Sequence, residues 1–194
     1  MKIAGLVLAA GAGRRLGGPK ALVRDSTGVT WVLRAARLLS AAGCTPVIVV
    51  VGAAADQVRA ELTEEPVQVV EATNWDEGMG ASLRAGLTAA GGDGTEAVLV
   101  LPVDVPGLTA AVVRRIAGVA GRTALVRAVY GGTPGHPVAI GRDHWEGVIA
   151  SARGDEGARR YLKRHRVVEI ECSDLADGAD VDTVGQLPDG HRAG

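Results

Sequence analysis

The loop Ala9-Ala10-Gly11-Ala12-Gly13-Arg14-Arg15-Leu16-Gly17-Gly18-Pro19-Lys20 has the residue types needed to hold a polyphosphate. Glycines let the backbone approach a ligand closely, and successive free N–H groups form a nest for phosphate oxygens. Arg15 offers two parallel donors and Lys20 a mobile point charge, so both suit negative charge that grows during group transfer. Asp104, in Leu101-Pro102-Val103-Asp104-Val105-Pro106, is a carboxylate suited to Mg²⁺, which takes one or two carboxylates with water and phosphate oxygens. Asp180-Val181-Asp182-Thr183 adds two carboxylates at alternate positions, which face the same way in an extended segment.

Other segments could complete such a site. Asn74-Trp75-Asp76-Glu77-Gly78-Met79-Gly80-Ala81-Ser82 runs into a helix, where Gly78, Gly80 and Ser82 would offer N–H groups and a hydroxyl to an anion. His136 could donate to a phosphate or meet the metal. Each has a plainer reading that the sequence leaves open. The loop could be a solvent-exposed turn, Asp104 a turn former before Pro106, and His136 a lone histidine in a polar turn. Ser82 and Asp155 could be helix caps, Trp75 core packing, and Asp182 the cap of a short helix after Thr183. Two better-known phosphate loops do not fit. Pro19 and Ala21 flank Lys20 where a Walker loop has Gly and Ser/Thr, and Leu16 stands where a dinucleotide fingerprint needs its third glycine.

Elements must hold these residues together. Apolar runs at Ile3 to Leu8, Val47 to Val51, Val67 to Val70, Ala97 to Leu101, Leu125 to Val129, Pro137 to Ile140 and Val167 to Ile170 read as strands. Their continuous apolarity predicts burial on both faces, as in a parallel sheet sandwiched by helices. Helical spacing marks 30–42, 56–62, 80–90, 109–120, 143–152 and 155–164, with Thr109 and Asp155 as N-caps and Gly43 as a C-terminal cap. The alternation predicts an α/β domain with a doubly wound, mostly parallel sheet and helices on both faces, its ligands at the carboxyl ends of the strands. One domain over 1–187 is expected, with 188–194 as a flexible C-terminal tail.

Composition narrows the class. A net charge of -1 gives no general case for nucleic acid, which needs a broad basic face. The N-terminal apolar run is too short for a signal peptide and none approaches the ~20 residues of a membrane span, so no membrane is expected and the cytoplasm is the expected home. Cys44 and Cys172 have neither zinc-ligand spacing nor the number for a disulfide framework. With 3% aromatics and no Phe, base stacking is a poor source of nucleotide selectivity.

The string LAAGAGRRLGGPK resembles the signature loop of the nucleotidyltransferases that attach CMP or GMP to the molybdenum cofactor, the MobA-like NTP transferases, and their sugar-phosphate relatives. LPVDVP is similar to that family's metal-binding segment, and NWDEGMGASL, GDEGAR and DVDT resemble further elements of it. The resemblance implies a Rossmann-like nucleotidyltransferase fold in which Ala9, Ala10, Gly11, Gly13, Arg15 and Lys20 bind the nucleotide, with Asn74, Gly78 and Ser82 as further contacts. It implies Arg15, Lys20 and Asp104 as catalytic residues, Mg²⁺ on Asp104 and Asp182, and Arg159 with His136 on the acceptor. LAAG, GDEGAR and NWDEGMGASL lean to the cytidylyl branch, whose partners are CTP and molybdopterin, with a molybdoenzyme downstream. Val105 replaces the common Gln and Leu16 the common Met, departures from the family's pattern. GMP transfer to the same cofactor, to phospholactate or to a sugar phosphate is the alternative, and a cofactor-binding chaperone without turnover is the rival from another class.

Overall fold

All seven apolar runs form strands; the inner runs such as Val47–Val51 are buried on both faces as expected, whereas the edge runs Val67–Glu71 and Val168–Glu171 are not. The computed structural model describes residues 1–92 and 94–193. Its strands are β1 (Lys2–Leu8), β2 (Val47–Val51), β3 (Val67–Glu71), β4 (Thr95–Pro102), β5 (Leu125–Tyr130), β6 (Thr133–Gly141) and β7 (Val168–Glu171). The order across the sheet is β3-β2-β1-β4-β6-β5-β7, and β6 alone runs antiparallel to its neighbours. The helices are α1 (Trp31–Ala41), α2 (Ala55–Glu61), α3 (Met79–Ala89), α4 (Ala110–Ala117), α5 (Trp145–Ser151) and α6 (Arg159–Leu162).

Side chains alternate between two cores along β1. Val7 and Ala9 join the core under α1, α2 and α4, which bring Trp31, Leu39, Val58, Val112 and Ile116. Leu6 and Leu8 join the opposite core, with Leu83 and Leu87 of α3 and Trp145 and Val148 of α5. Helices therefore cover both faces. Close approach on each side depends on a glycine. A Cβ on Gly5 would stand 2.9 Å from Leu39 Cβ, and one on Gly86 would stand 2.4 Å from Leu6 Cδ1.

From β1 the chain winds outward through β2 to β3, then returns to place β4 on the other side of β1. The reversal opens a crevice at the carboxyl ends of β1 and β4, the usual ligand position in a doubly wound sheet.

Two local expectations are corrected. Residues 155–164 do not form one helix capped by Asp155: Gly157, at φ 52°, separates a 3-10 turn over Gly154–Glu156 from α6, whose N-cap is Ala158. The expected flexible tail over 188–194 is held to the domain as far as Arg192, with Gly194 outside the described residues. Arg24 and Arg192 exchange backbone hydrogen bonds at 2.9 Å, and Trp31 Nε1 donates to His191 Nδ1 at 3.0 Å. Thr109 does cap α4, its hydroxyl accepting from Val112 N at 3.4 Å, and Gly43 closes α1 at φ 90°.

Gly86→Ala tests the packing of α3 on β1. The gain in helix propensity is about 1 kcal/mol, whereas overpacking costs about 1–3 kcal/mol, and fully buried Leu6 has nowhere to retreat. A lower urea midpoint at unchanged slope is expected; a midpoint at or above that of the parent chain refutes the argument.

Candidate functional site

The loop after β1 holds its shape through buried anchors at both ends of its charged part. Leu16, Ala21 and Val23 all sink into the core, so Lys20 begins its 3-10 turn from a fixed position. The carbonyl of Gly13 accepts from the N–H groups of Leu16, Gly17 and Gly18 at 2.9, 3.1 and 3.3 Å. The expected nest is therefore shorter than the glycines suggest: the N–H groups at 16–18 are spent inside the loop. Those of 11–15 have no protein partner among the described residues. Gly13, at φ 61°, is obligatory, since a Cβ there would stand 1.8 Å from the carbonyl oxygen of Gly18.

Three segments distant in sequence meet at Lys20. Its Nζ donates to Asp104 Oδ2 at 2.8 Å and to Asp182 Oδ1 at 2.6 Å, while Arg15 reaches Asp182 Oδ2 at 3.1 Å. Asp182 arrives because the Val181 N–H donates to the Asp104 carbonyl at 2.8 Å, while the buried Val181 side chain anchors the segment. It does not cap the turn after Thr183. Its backbone N–H and that of Thr183 both donate to Gln186 Oε1, leaving the carboxylate to Lys20 and Arg15.

Burial alone would lower the pKa of Lys20, but the hydrogen bonds and charges of Asp104 and Asp182 outweigh it and raise it above 10.5. The hydrogen bond from Lys20 holds Asp182 below 3.8 against its own desolvation, with the Lys20 and Arg15 charges adding to the effect. The side chains of Lys20, Asp104 and Asp182 are 16%, 20% and 29% exposed, so solvent screens them only in part.

Around this cluster lies a cleft of about 610 Å³. Ala9, Ala10, Gly11, Gly13, Arg15, Lys20, Gly78, Ser82, Asp104, Arg159 and Asp182 all line it. The N-terminus of α3 opens into it, with Gly78 at φ 104° as N-cap and Ser82 buried one turn inside. Asn74 does not line the cleft. Its amide instead binds Glu77, which that bond and Arg84 hold below the ordinary carboxylate range. His136 lines a second cavity of about 300 Å³, which shares Asp104, Asp180 and Arg159 with the first. Burial lowers the pKa of His136 against the charges of Asp104 and Asp180, with Arg159 adding to the fall.

The sequence reading gave no role to Arg14, Met79 and Arg127 in these walls, and of the acidic pair it favoured Asp182 over Asp180. Asp180 is the other half of the alternating acidic pair. A single charge inside the apolar run Leu125-Val126-Arg127-Ala128-Val129 was the available sign for Arg127. Among the described residues no group of three or more His, Cys, Asp or Glu side chains is arranged to hold a metal, and no helix is long and apolar enough to cross a membrane.

Lys20→Met removes the cation between two carboxylates. Its cost at pH 7 should be about 1–3 kcal/mol. The contribution of the raised Lys20 pKa is complete below 10.5 and is lost as pH rises through the folded value; that of Asp182 is present above 3.8 and is lost as pH falls through its lowered value. The stability gap between parent and variant should therefore shrink below pH 4 and at strongly alkaline pH. A gap that stays constant in acid denaturation experiments argues against the cluster.

Comparison with known proteins agrees with this geometry. The MobA-like NTP transferase domain model matches residues 5–169. A protein of Paenarthrobacter nicotinovorans named nicotine blue oxidoreductase is 38% identical over 95% of this chain and 94% of its own. A molybdenum cofactor guanylyltransferase of Rhodobacter capsulatus is 35% identical over 77% of this chain and 68% of its own. Among solved structures, a nucleotidyl transferase from Methanothermobacter thermautotroptrophicus superposes with TM-score 0.82 at 26% identity, covering 95% of this chain and 93% of that one. The manganese complex of the Rv0371c protein of Mycobacterium tuberculosis gives TM-score 0.76 at 30% identity, with 95% of each chain covered. With a seven-stranded α/β sheet, a glycine-rich loop at its switch point and a family match spanning most of its length, the chain belongs to the MobA-like NTP transferase family.

Proposed function

We propose that this protein transfers CMP from CTP to the phosphate of molybdopterin, releasing pyrophosphate. The convergence of Lys20, Asp104 and Asp182 beside the free N–H groups of the first loop carries the reading. An oxygen of the acceptor phosphate attacks the α-phosphorus, a new P–O bond forms and the bond to the β-phosphate oxygen breaks. The attacking phosphate is already an anion, so no general base is needed. Arg15 and Lys20 bind and align the triphosphate, and they neutralise charge that grows on the departing pyrophosphate.

Asp104 and Asp182 fit a hard divalent cation, because their oxygens already converge on one cationic atom at 2.8 and 2.6 Å. Mg²⁺ held there would draw its remaining ligands from water and phosphate and would neutralise charge on the triphosphate. A relative crystallised with manganese supports a divalent-ion site. LAAG, GDEGAR and NWDEGMGASL favour CTP, while the Rhodobacter capsulatus relative carries the name of a guanylyltransferase. A second reading, reduction or oxidation of a heterocycle, is favoured by one observation: the Paenarthrobacter nicotinovorans relative is named an oxidoreductase and aligns over nearly the whole chain.

Pyrophosphate release with CTP, GTP, ATP or UTP, each with molybdopterin, tests the reaction. Release with CTP is expected. Release with GTP alone overturns the base assignment, and reduction of nicotine blue by a supplied electron donor without pyrophosphate release from any nucleotide favours the second reading. Lys20→Ala should slow transfer by about 10²–10³-fold, and undiminished turnover would remove Lys20 from the mechanism. For the metal, Mg²⁺ added with CTP should raise the melting temperature of the parent chain and not that of Asp104→Asn; an equal rise in both refutes the ligand assignment.

A further inference from the structure

The second cavity changes character along its length. Where it meets the nucleotide cleft it has the charged residues Asp104, Asp155, Asp180 and Arg159. The guanidinium of Arg159 has no hydrogen-bond or ion-pair partner among the described residues, which leaves it to meet a phosphate. Arg127 lines only the part beyond that junction and is in a different state. Its Nε donates to Glu169 Oε1 at 3.0 Å and its Nη2 reaches the same oxygen, so β7 neutralises and fixes the guanidinium. Nη1 has no partner among the described residues. Nearby, desolvation lowers the pKa of the partly buried His136, and Val138 and Ile140 form an apolar wall.

An arginine tethered to a carboxylate keeps directed N–H donors but has little net charge to offer. A carboxylate on the ligand would find little net charge at an Arg127 already paired with Glu169, whereas a neutral carbonyl needs only the free donor. We propose that Arg127, held by Glu169, is the acceptor-specificity residue of this cavity, selecting a phosphate ester whose far end is an uncharged, hydrogen-bond-accepting ring such as a lactam. The inference rests on the nucleotidyl-transfer reading for the phosphate end of that ligand and deepens it at the other.

Equilibrium dialysis of pterin, an uncharged lactam heterocycle, and of benzoate, a planar carboxylate, tests the assignment on the full chain in phosphate buffer, so that Arg159 is already matched by an anion. The parent chain should prefer pterin. Arg127→Met should weaken pterin binding about tenfold, the loss of a directed hydrogen bond, with CTP binding unchanged as the control for folding. Glu169→Gln, which leaves β5 intact, uncovers the charge of Arg127 and should shift the preference towards benzoate. Parent-like pterin binding by Arg127→Met, an unshifted preference in Glu169→Gln, or no pterin binding by the parent chain each overturns the proposal. No transfer step enters the measurement. A chain that selects pterin through Arg127 but releases no pyrophosphate keeps this assignment and loses the reaction.

Discussion

The ammonium of Lys20 is the point on which the nucleotide half of the molecule depends. Two carboxylates facing one atom repel each other unless a cation lies between them, and here the cation belongs to the chain itself. Lys20 is held by Leu16, Ala21 and Val23 in the core, and Asp182 is held through the Val181 backbone bond to Asp104. The charges therefore meet because apolar residues on either side of them have nowhere else to go. Desolvation opposes the arrangement, and the paired hydrogen bonds overcome it.

Much of the fold was legible because its signals are local and redundant. A run such as Val47 to Val51 is apolar on both faces and forms a fully buried strand. The loop, Asp104 and Asp182 were legible for a related reason: two follow strands at the sheet edge, and the third lies in an alternating pair. The reading failed where one residue or a distant partner decides. Gly157 breaks a helix that composition favours, and a polar C-terminal segment gives no sign that His191 meets Trp31 or that Arg192 pairs with Arg24. Asn74 fits a motif, but its amide is committed to Glu77. The nest was misjudged because glycine content does not reveal which N–H groups the loop keeps for itself.

Charge pairing recurs over the surface. Arg24, Arg37, Arg59, Arg84, Arg115 and Arg122 each face a carboxylate, most on a neighbouring element. Such exposed pairs contribute little stability. Arg14 and Arg159, which line the cleft, face no carboxylate among the described residues, and neither do Lys163, Arg164 and Arg166 outside it. A chain of net charge -1 thus keeps two of its free cations where an anion would enter.

The single reversed strand gives the molecule a seam. β6 joins β4 edge to edge, and with β5 and α6 it walls one side of the second cavity. Substitutions beyond that seam can remodel one chamber while the strands that aim Lys20 and Asp104 keep their register. Such a division gives evolution two chambers that can change separately, and proteins similar to this chain bear names as unlike as guanylyltransferase and oxidoreductase.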